Sequence, residues 1–309
     1  MKVDSVYIIN LDRDQEKYAQ VTSLFEKHYK IERVPAIDKD RMDRALYKQH
    51  CTTKCQWTCT RKMIAVALSH MRAWQTLLKN GDQYGIIVED DCYVEPTIYD
   101  MIAKLQVNND TKWDMIYLGC FACRNDIPPL YKPLAWFNGM SPDGGEQVTD
   151  MVHRPKFALG THCYILSRQG ALNLVRLFSG NIEDHVDVQI QKFAAQGHLR
   201  TLALDVTQAH QESSRATDMF PRALNMFLTQ PVCENVSLAY FMSTPGGQLF
   251  GYEINAWLGF FIIAALICRR YRFRALPYLS ILFAIDIYNG DVQRVLDVLV
   301  LFFIATRYD

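Results

Sequence analysis

Tyr84-Gly85-Ile86-Ile87-Val88-Glu89-Asp90-Asp91 decides the reading of this 309-residue chain. Residues 84–88 form a short apolar run of strand length that leads without a break into three carboxylates. Ligands of open α/β sheets sit beyond the carboxyl ends of strands, so an acidic cluster there is a candidate site rather than a plain solvated turn. Adjacent carboxylates repel one another and are costly to hold ionised unless a cation joins them. Strand alternation sends Glu89 and Asp91 to one side, where both approach a single ion, while Asp90 is placed to reach a ribose hydroxyl. Oxygen-only ligation favours Mn²⁺ or Mg²⁺ over zinc, with a diphosphate as the natural co-ligand.

Outward from that segment, the first 220 residues alternate strand-like apolar runs with helical periodicity, the pattern of an α/β domain with a mostly parallel sheet. Residues 6–11, 31–36, 113–118, 161–166 and 199–206 read as further strands. Asp12-Arg13-Asp14 supplies a turn and cap before a helix running to Phe25. Residues 63–79 carry Ile64, Ala67, Leu68, Met71 and Trp74 at i, i+3, i+4 spacing, an amphipathic helix ended by Asn80-Gly81. Residues 169–178 and 186–195 read as helices, and 120–154, with its prolines and glycines, as a long functional loop.

Lys and Arg number 33, Asp and Glu 33, with a pI near 7.1, so the surplus of basic residues that a nucleic-acid partner demands is missing. Nine cysteines cannot all pair. The N-terminus, Met1-Lys2-Val3-Asp4-Ser5, has no signal-peptide character, which predicts a cytoplasmic chain with free thiols in which the sequons at Asn109 and Asn235 go unused. Cys51, Cys55 and Cys59 share a helical spacing and Cys120-Phe121-Ala122-Cys123 is a CxxC pair, so a structural zinc site competes with plain thiols.

Composition changes near residue 248. After a linker at 221–247, residues 248–309 lack lysine and contain the uncharged runs 254–268, 275–285 and 298–306, each short of a bilayer-spanning length. Either they form a buried helical subdomain, or a hydrophobic helical tail that associates with a membrane, with the arginines of Arg269-Arg270-Tyr271-Arg272-Phe273-Arg274 at the headgroups of the cytoplasmic face.

Five segments in order carry a family resemblance: Val6-Tyr7-Ile8-Ile9-Asn10-Leu11-Asp12-Arg13, Val34-Pro35-Ala36-Ile37-Asp38, Ala67-Leu68-Ser69-His70, Ile87-Val88-Glu89-Asp90-Asp91, and Gly160-Thr161-His162-Cys163-Tyr164-Ile165-Leu166-Ser167. Over residues 3–215 the chain resembles glycosyltransferase family 25, which includes lipooligosaccharide and collagen hydroxylysine galactosyltransferases. The resemblance implies a GT-A-like, Rossmann-like α/β fold, a nucleotide-sugar donor (UDP-galactose or UDP-glucose), a divalent metal, inversion at the anomeric carbon, and a glycan, lipid-linked or protein acceptor. It implies that Asn10, Leu11, Arg13 and Asp38 lie near the nucleotide, that Ser69 and His70 face the donor, and that Glu89-Asp90-Asp91 is the metal-binding motif. The family's Gly-Glu-Ile-Gly-Cys before Ala-Leu-Ser-His is replaced here by Lys62-Met63-Ile64-Ala65-Val66.

Inverting transfer needs a base for the acceptor proton and positive charge for the leaving diphosphate. Asp184-His185-Val186-Asp187 offers the base, with Asp187 matching the family aspartate and Asp184 as second candidate or helix cap. His210 is a candidate third metal ligand or phosphate contact, and Arg215 a candidate for the diphosphate. Two other classes compete: a catalytically inactive sugar- or partner-binding relative, and a metal-dependent phosphohydrolase, for which a second ligand cluster is missing.

Overall fold

Every residue of Ser5–Asn10 is buried, a pattern that requires cover on both faces of a strand and explains the unbroken apolar run Val6-Tyr7-Ile8-Ile9. In a computed structural model, residues 2–59, 61–105, 112–120, 123 and 145–211 are described, together with short strand segments at 231–233, 236–237, 247–249 and 252–254. The strands of the first part are β1 (Ser5–Asn10), β2 (Lys30–Pro35), β3 (Tyr84–Glu89), β4 (Cys92–Val94), β5 (Met115–Tyr117), β6 (Glu146–Gln147), β7 (Val152–Arg154), β8 (Cys163–Ser167), β9 (Thr201–Leu204) and β10 (Ala209–Gln211). The helices are α1 (Gln15–Phe25), α2 (Arg44–His50), α3 (Thr53–Thr58), α4 (Arg61–Asn80), α5 (Ile98–Lys104), α6 (Arg168–Phe178) and α7 (Val186–Ala195).

Eight strands form one sheet in the order β2-β1-β3-β8-β5-β9-β7-β6. β1 is parallel to β2 and β3, and β5 to β9. The expected mostly parallel sheet is instead mixed: β8 runs antiparallel between β3 and β5, and β7 and β6 continue antiparallel beyond β9. Because β8 reverses against both neighbours, β3 and β5 point the same way, and the carboxyl ends of β1, β3, β5 and β9 share one edge of the sheet. β10 pairs with β4 in a separate two-stranded sheet.

Strand alternation divides the core in two. Tyr7, Ile87, Tyr164 and Tyr117 point to the face covered by α4, α6 and α7, where Trp74 and Phe178 meet edge to face at 5.1 Å. Val6, Ile8, Ile86, Ile165 and Ile116 point to the other, against Val21 and Phe25 of α1 and Ile98 and Ile102 of α5. The five apolar positions that predicted α4 are all buried, and the helix stops before Gly81 as expected. Met63, Ile64 and Ala65 are buried in it as well, so the stretch that replaces the family's glycines is here the apolar first half of a helix.

Gly119 follows β5 where β10 crosses closest. A Cβ there would stand 1.9 Å from the Ala209 carbonyl oxygen and 2.6 Å from His162 Nε2. Backbone cannot yield as a side chain does, so Gly119→Ala should cost about 2–3 kcal/mol in chemical denaturation as β10 is forced off.

Residues 1–212 with 233–235 make one compact unit, and 213–232 with 236–309 a second. In the second, Gly247–Leu249 and Tyr252–Ile254 pair antiparallel, where the helical tail was expected to begin. The remainder of the expected tail, and Arg215, lie outside the described residues. No helix among the described residues is long and apolar enough to cross a membrane.

Candidate active site

The carboxyl ends of β1 and β3 are in register, Ile9 opposite Glu89, and the Asp90 amide donates to the Ile9 carbonyl at 3.2 Å. Asn10, 1% exposed, closes this corner: its Nδ2 donates to Asp90 Oδ2 at 2.8 Å and to the Asp14 carbonyl at 2.9 Å, and its Oδ1 accepts from Arg33 Nε at 3.0 Å. Asn10 thus orients Asp90 instead of projecting toward a ligand. Leu11 follows, partly buried. At the rim Arg13 NH1 donates to Asp38 Oδ2 at 2.5 Å. The Asp40 backbone N–H, and then the Arg13 and Arg41 charges, hold the Asp38 carboxyl below the usual carboxylate range. Ser69, expected to face a donor, is buried: its hydroxyl accepts from the Ile37 amide at 2.8 Å and donates to the Ala65 carbonyl at 2.7 Å, fastening the loop that carries Asp38 onto α4.

His70 is likewise interior. The Trp74 indole donates to the Tyr164 hydroxyl at 2.7 Å, and that hydroxyl lies 3.0 Å from His70 Nδ1. An ionised carboxylate can only accept, so the imidazole proton lies on Nε2, 3.2 Å from Glu89 Oε1, and Nδ1 accepts from the Tyr164 hydroxyl, whose oxygen takes the indole N–H. The Thr161 hydroxyl donates to the same oxygen at 2.9 Å. Burial pushes the Glu89 carboxyl up, but the hydrogen bond from His70, the nearby His70 and His162 imidazoles and the Thr161 hydroxyl outweigh it and hold the group ionised. The result is a carboxylate of fixed position at the end of β3, its side chain 21% exposed.

Gly160, adjacent to Thr161, joins this carboxylate to a second one. The Gly160 amide, presented by a backbone with φ of 95°, donates to Asp187 Oδ2 at 3.1 Å. Asp187 Oδ1 accepts from the Val188 amide at 2.7 Å and from His185 Nδ1 at 2.5 Å. Burial works against both charged forms, yet each partner stabilises the other, so the Asp187 carboxyl is lowered and the His185 imidazole raised from their ordinary ranges. Glu89 from β3 and Lys62 from α4 act on the same imidazole. Asp184 neither caps α7 nor joins this pair: it accepts from the His185 amide at 2.8 Å, and His185 is the helix N-cap. The Tyr117 hydroxyl at the end of β5, buried and without a hydrogen-bond partner among the described residues, lies in the field of Asp187.

Glu89, Asp91 and His210 are not gathered as the expected ligand set. Among the described residues no three His, Cys, Asp or Glu side chains cluster closely enough to hold a metal ion. The physical reason is that Glu89 turns to His70 and Thr161, Asp91 is 7% exposed, and His210 sits on β10 with Nε2 3.3 Å from Glu95. As it stands the donor set does not fit a resident ion. The thiols expected to be free are paired at four positions, in the disulfides Cys55–Cys59 and Cys120–Cys123, which leaves none of these four for the alternative zinc site. Cys51, Cys92 and Cys163 are free and buried.

The model of Glycosyltransferase family 25 (LPS biosynthesis protein) matches residues 3–190, more than half of the chain. The chain belongs to glycosyltransferase family 25. A "Glycosyltransferase 25 family member" of Drosophila pseudoobscura pseudoobscura is 23% identical over 186 residues, which cover 57% of this chain and 27% of the relative. This family 25 chain therefore aligns with about a quarter of the curated relative it matches. Mouse xyloside xylosyltransferase 1, apo form, superposes over 63% of the chain and 64% of its own with a TM-score of 0.27 and 9% identity, too slight a likeness to bear on fold or function. The matched span holds every expected site residue except His210 and Arg215, and it also holds the residues that sequence reasoning missed: Gly160, Thr161, Tyr117, Tyr164 and the ionic role of His185. The signal for His185 was present in Asp184-His185-Val186-Asp187, whose side chains sort only once the helix start is fixed at Val186.

Proposed function

We propose that this family 25 glycosyltransferase moves a hexose, galactose in the first instance, from a UDP-sugar to a hydroxyl of a glycan, lipid-linked or protein acceptor, with inversion. The observation that carries the reading is the convergence of Glu89 and Asp187, from different elements, through the single link Gly160-Thr161. Glycosyl transfer passes through an oxocarbenium-like state, and a preorganised ionised carboxylate at the anomeric carbon stabilises that charge. The Asp187 pair supplies proton acceptance opposite the leaving group, and we assign the diphosphate charge to Arg13, which follows β1, and to Lys62, whose charge reaches His185. In this reading Asp90, held by Asn10, takes the ribose, and Asp38 the uridine or ribose. A GT-A-like nucleotide-binding half fits the shared edge of β1 and β3.

Metal dependence belongs to the proposal only in the form in which a Mn²⁺ or Mg²⁺ ion arrives with the donor diphosphate and takes one or two carboxylates from the protein. Membrane association of the apolar C-terminal stretch, on the cytoplasmic face, completes the reading. The disulfides Cys55–Cys59 and Cys120–Cys123 stand against the cytoplasmic face, because disulfides do not persist in a reducing cytosol, so thiol labelling in intact cells decides it: labelled cysteines support that face and protected ones overturn it.

The test is nucleotide release by the full chain from UDP-galactose, UDP-glucose, UDP-N-acetylglucosamine and GDP-sugars, with Mn²⁺ and with EDTA. Release from one UDP-sugar is expected, and its loss in EDTA would establish the ion. A folded chain that binds donor without release fits the inactive relative, and release of inorganic phosphate fits the phosphohydrolase.

A further inference from the structure

We propose that the group taking the acceptor hydroxyl's proton is the His185 imidazole, with Asp187 behind it as a positioning residue. The assignment rests on the transferase reading and changes which atom performs its central proton transfer. Asp187, the base expected from sequence, is badly placed for the task. Its side chain is 4% exposed, and its oxygens are engaged by the Gly160 amide, the Val188 amide and His185 Nδ1. Reaching an acceptor hydroxyl would break these bonds in a site with little water to replace them.

The His185 side chain, by contrast, is 30% exposed. As N-cap of α7 it has an extended backbone, φ −57° and ψ 143°, and makes no side-chain cap bond, so the ring is not spent on the helix. With Nδ1–H donating to Asp187, a neutral imidazole carries its lone pair on Nε2, the nitrogen away from the carboxylate. The charged groups that act on the ring are Asp187 on its own helix, Glu89 from β3 and Lys62 from α4, with Asp184 preceding it in the chain. The carboxylates favour the imidazolium that forms during transfer, and Lys62 opposes it.

The step balances without any further reactant. The acceptor O–H bond breaks and its proton goes to Nε2. The acceptor oxygen bonds the anomeric carbon as the bond from that carbon to the diphosphate oxygen breaks, and the electron pair departs on the diphosphate. The imidazolium then returns its proton to water. Because Asp187 raises the imidazole above its ordinary range, turnover should climb with pH through one ionisation lying above that of a free histidine.

The experiment is a pH profile of UDP release from UDP-galactose, with water as acceptor, for the full chain and for His185→Gln, Asp187→Asn and Asp184→Asn. The Cε1–H resonance of His185 is titrated in parallel, and thermal melting checks that each variant is folded. His185→Gln should lose about 10² to 10⁴-fold in kcat and its acid limb. Asp187→Asn should lower kcat and move both the limb and the histidine titration to lower pH, a shift that a merely structural role would not produce. Asp184→Asn should move both by less than Asp187→Asn does, because Asp184 bonds the His185 amide and not the ring. A His185→Gln variant that keeps its rate and its limb, with the limb in the carboxylate range, would return the role to Asp187 and overturn the assignment. Wild-type protein that binds UDP-galactose yet never releases UDP at any pH would overturn it together with the transferase reading, a pattern distinct from an active His185→Gln.

Discussion

Glu89→Gln lowers nucleotide release about 10² to 10³-fold and leaves the melting temperature where it was. The substitution isolates charge from geometry. A glutamine carbonyl oxygen accepts from His70 Nε2 and from the Thr161 hydroxyl as the carboxylate oxygen does, so the chain Trp74, Tyr164, His70 and Thr161 around it survives. Only the negative charge at the end of β3 is lost, and with it the stabilisation of positive charge at the anomeric carbon. Steady-state release and a melting curve on one preparation check both halves. A variant that loses rate and melts early would mean that Glu89 holds the fold and not the transition state.

The largest effect on stability is expected far from that carboxylate. Asp114, 1% exposed, accepts from the Arg200 amide at 2.9 Å, from Arg200 Nε at 2.9 Å and NH2 at 2.8 Å, and from Asn173 Nδ2 at 3.1 Å. It ties the start of β5 to the residue before β9 and to α6. Asp114→Ala removes the acceptor from all four donors: the part-exposed Arg200 guanidinium turns to water, while the Arg200 amide and Asn173 Nδ2 each lose a hydrogen bond to a charged partner, about 1.5–3 kcal/mol apiece. Against the roughly 5–15 kcal/mol that holds a domain folded, the variant should be largely unfolded at moderate urea where the parent chain is native. Arg200→Ala should cost less, because the guanidinium is 39% exposed and water can reach the site it leaves.

How far this was legible in the sequence varies with the physics involved. Residues 186–195 read as a helix and form one with those bounds, and 63–79 came within two residues of α4, because a 3.6-residue period is written locally. Strand direction is not written locally. Residues 161–166 read as a strand, but nothing in their composition says that β8 reverses between β3 and β5, which is why a mostly parallel sheet was expected. The same limit applies to the site. Carboxylates at the end of a strand marked the right place, yet the direction in which each points depends on partners distant in sequence. Glu89 turns to His70 and Thr161, Ser69 to Ile37, Asn10 to Asp90, and His210 to Glu95. The pairing of Cys120 with Cys123 could not be told from a zinc site by spacing alone.

One measurement reaches the central claim most directly: hydrogen exchange of the full chain with and without UDP-galactose. A cavity of about 780 Å³ lined in part by Lys112, Arg154, Lys156 and Arg200 lies at the start of β9 and offers the donor a rival cationic site. Binding at the proposed site slows exchange in 11–14, 36–40 and 158–162 and around 184–188, and leaves 145–148 and 196–200 unchanged. Protection confined to the segments around the cavity, or no protection at saturating donor, would contradict the account.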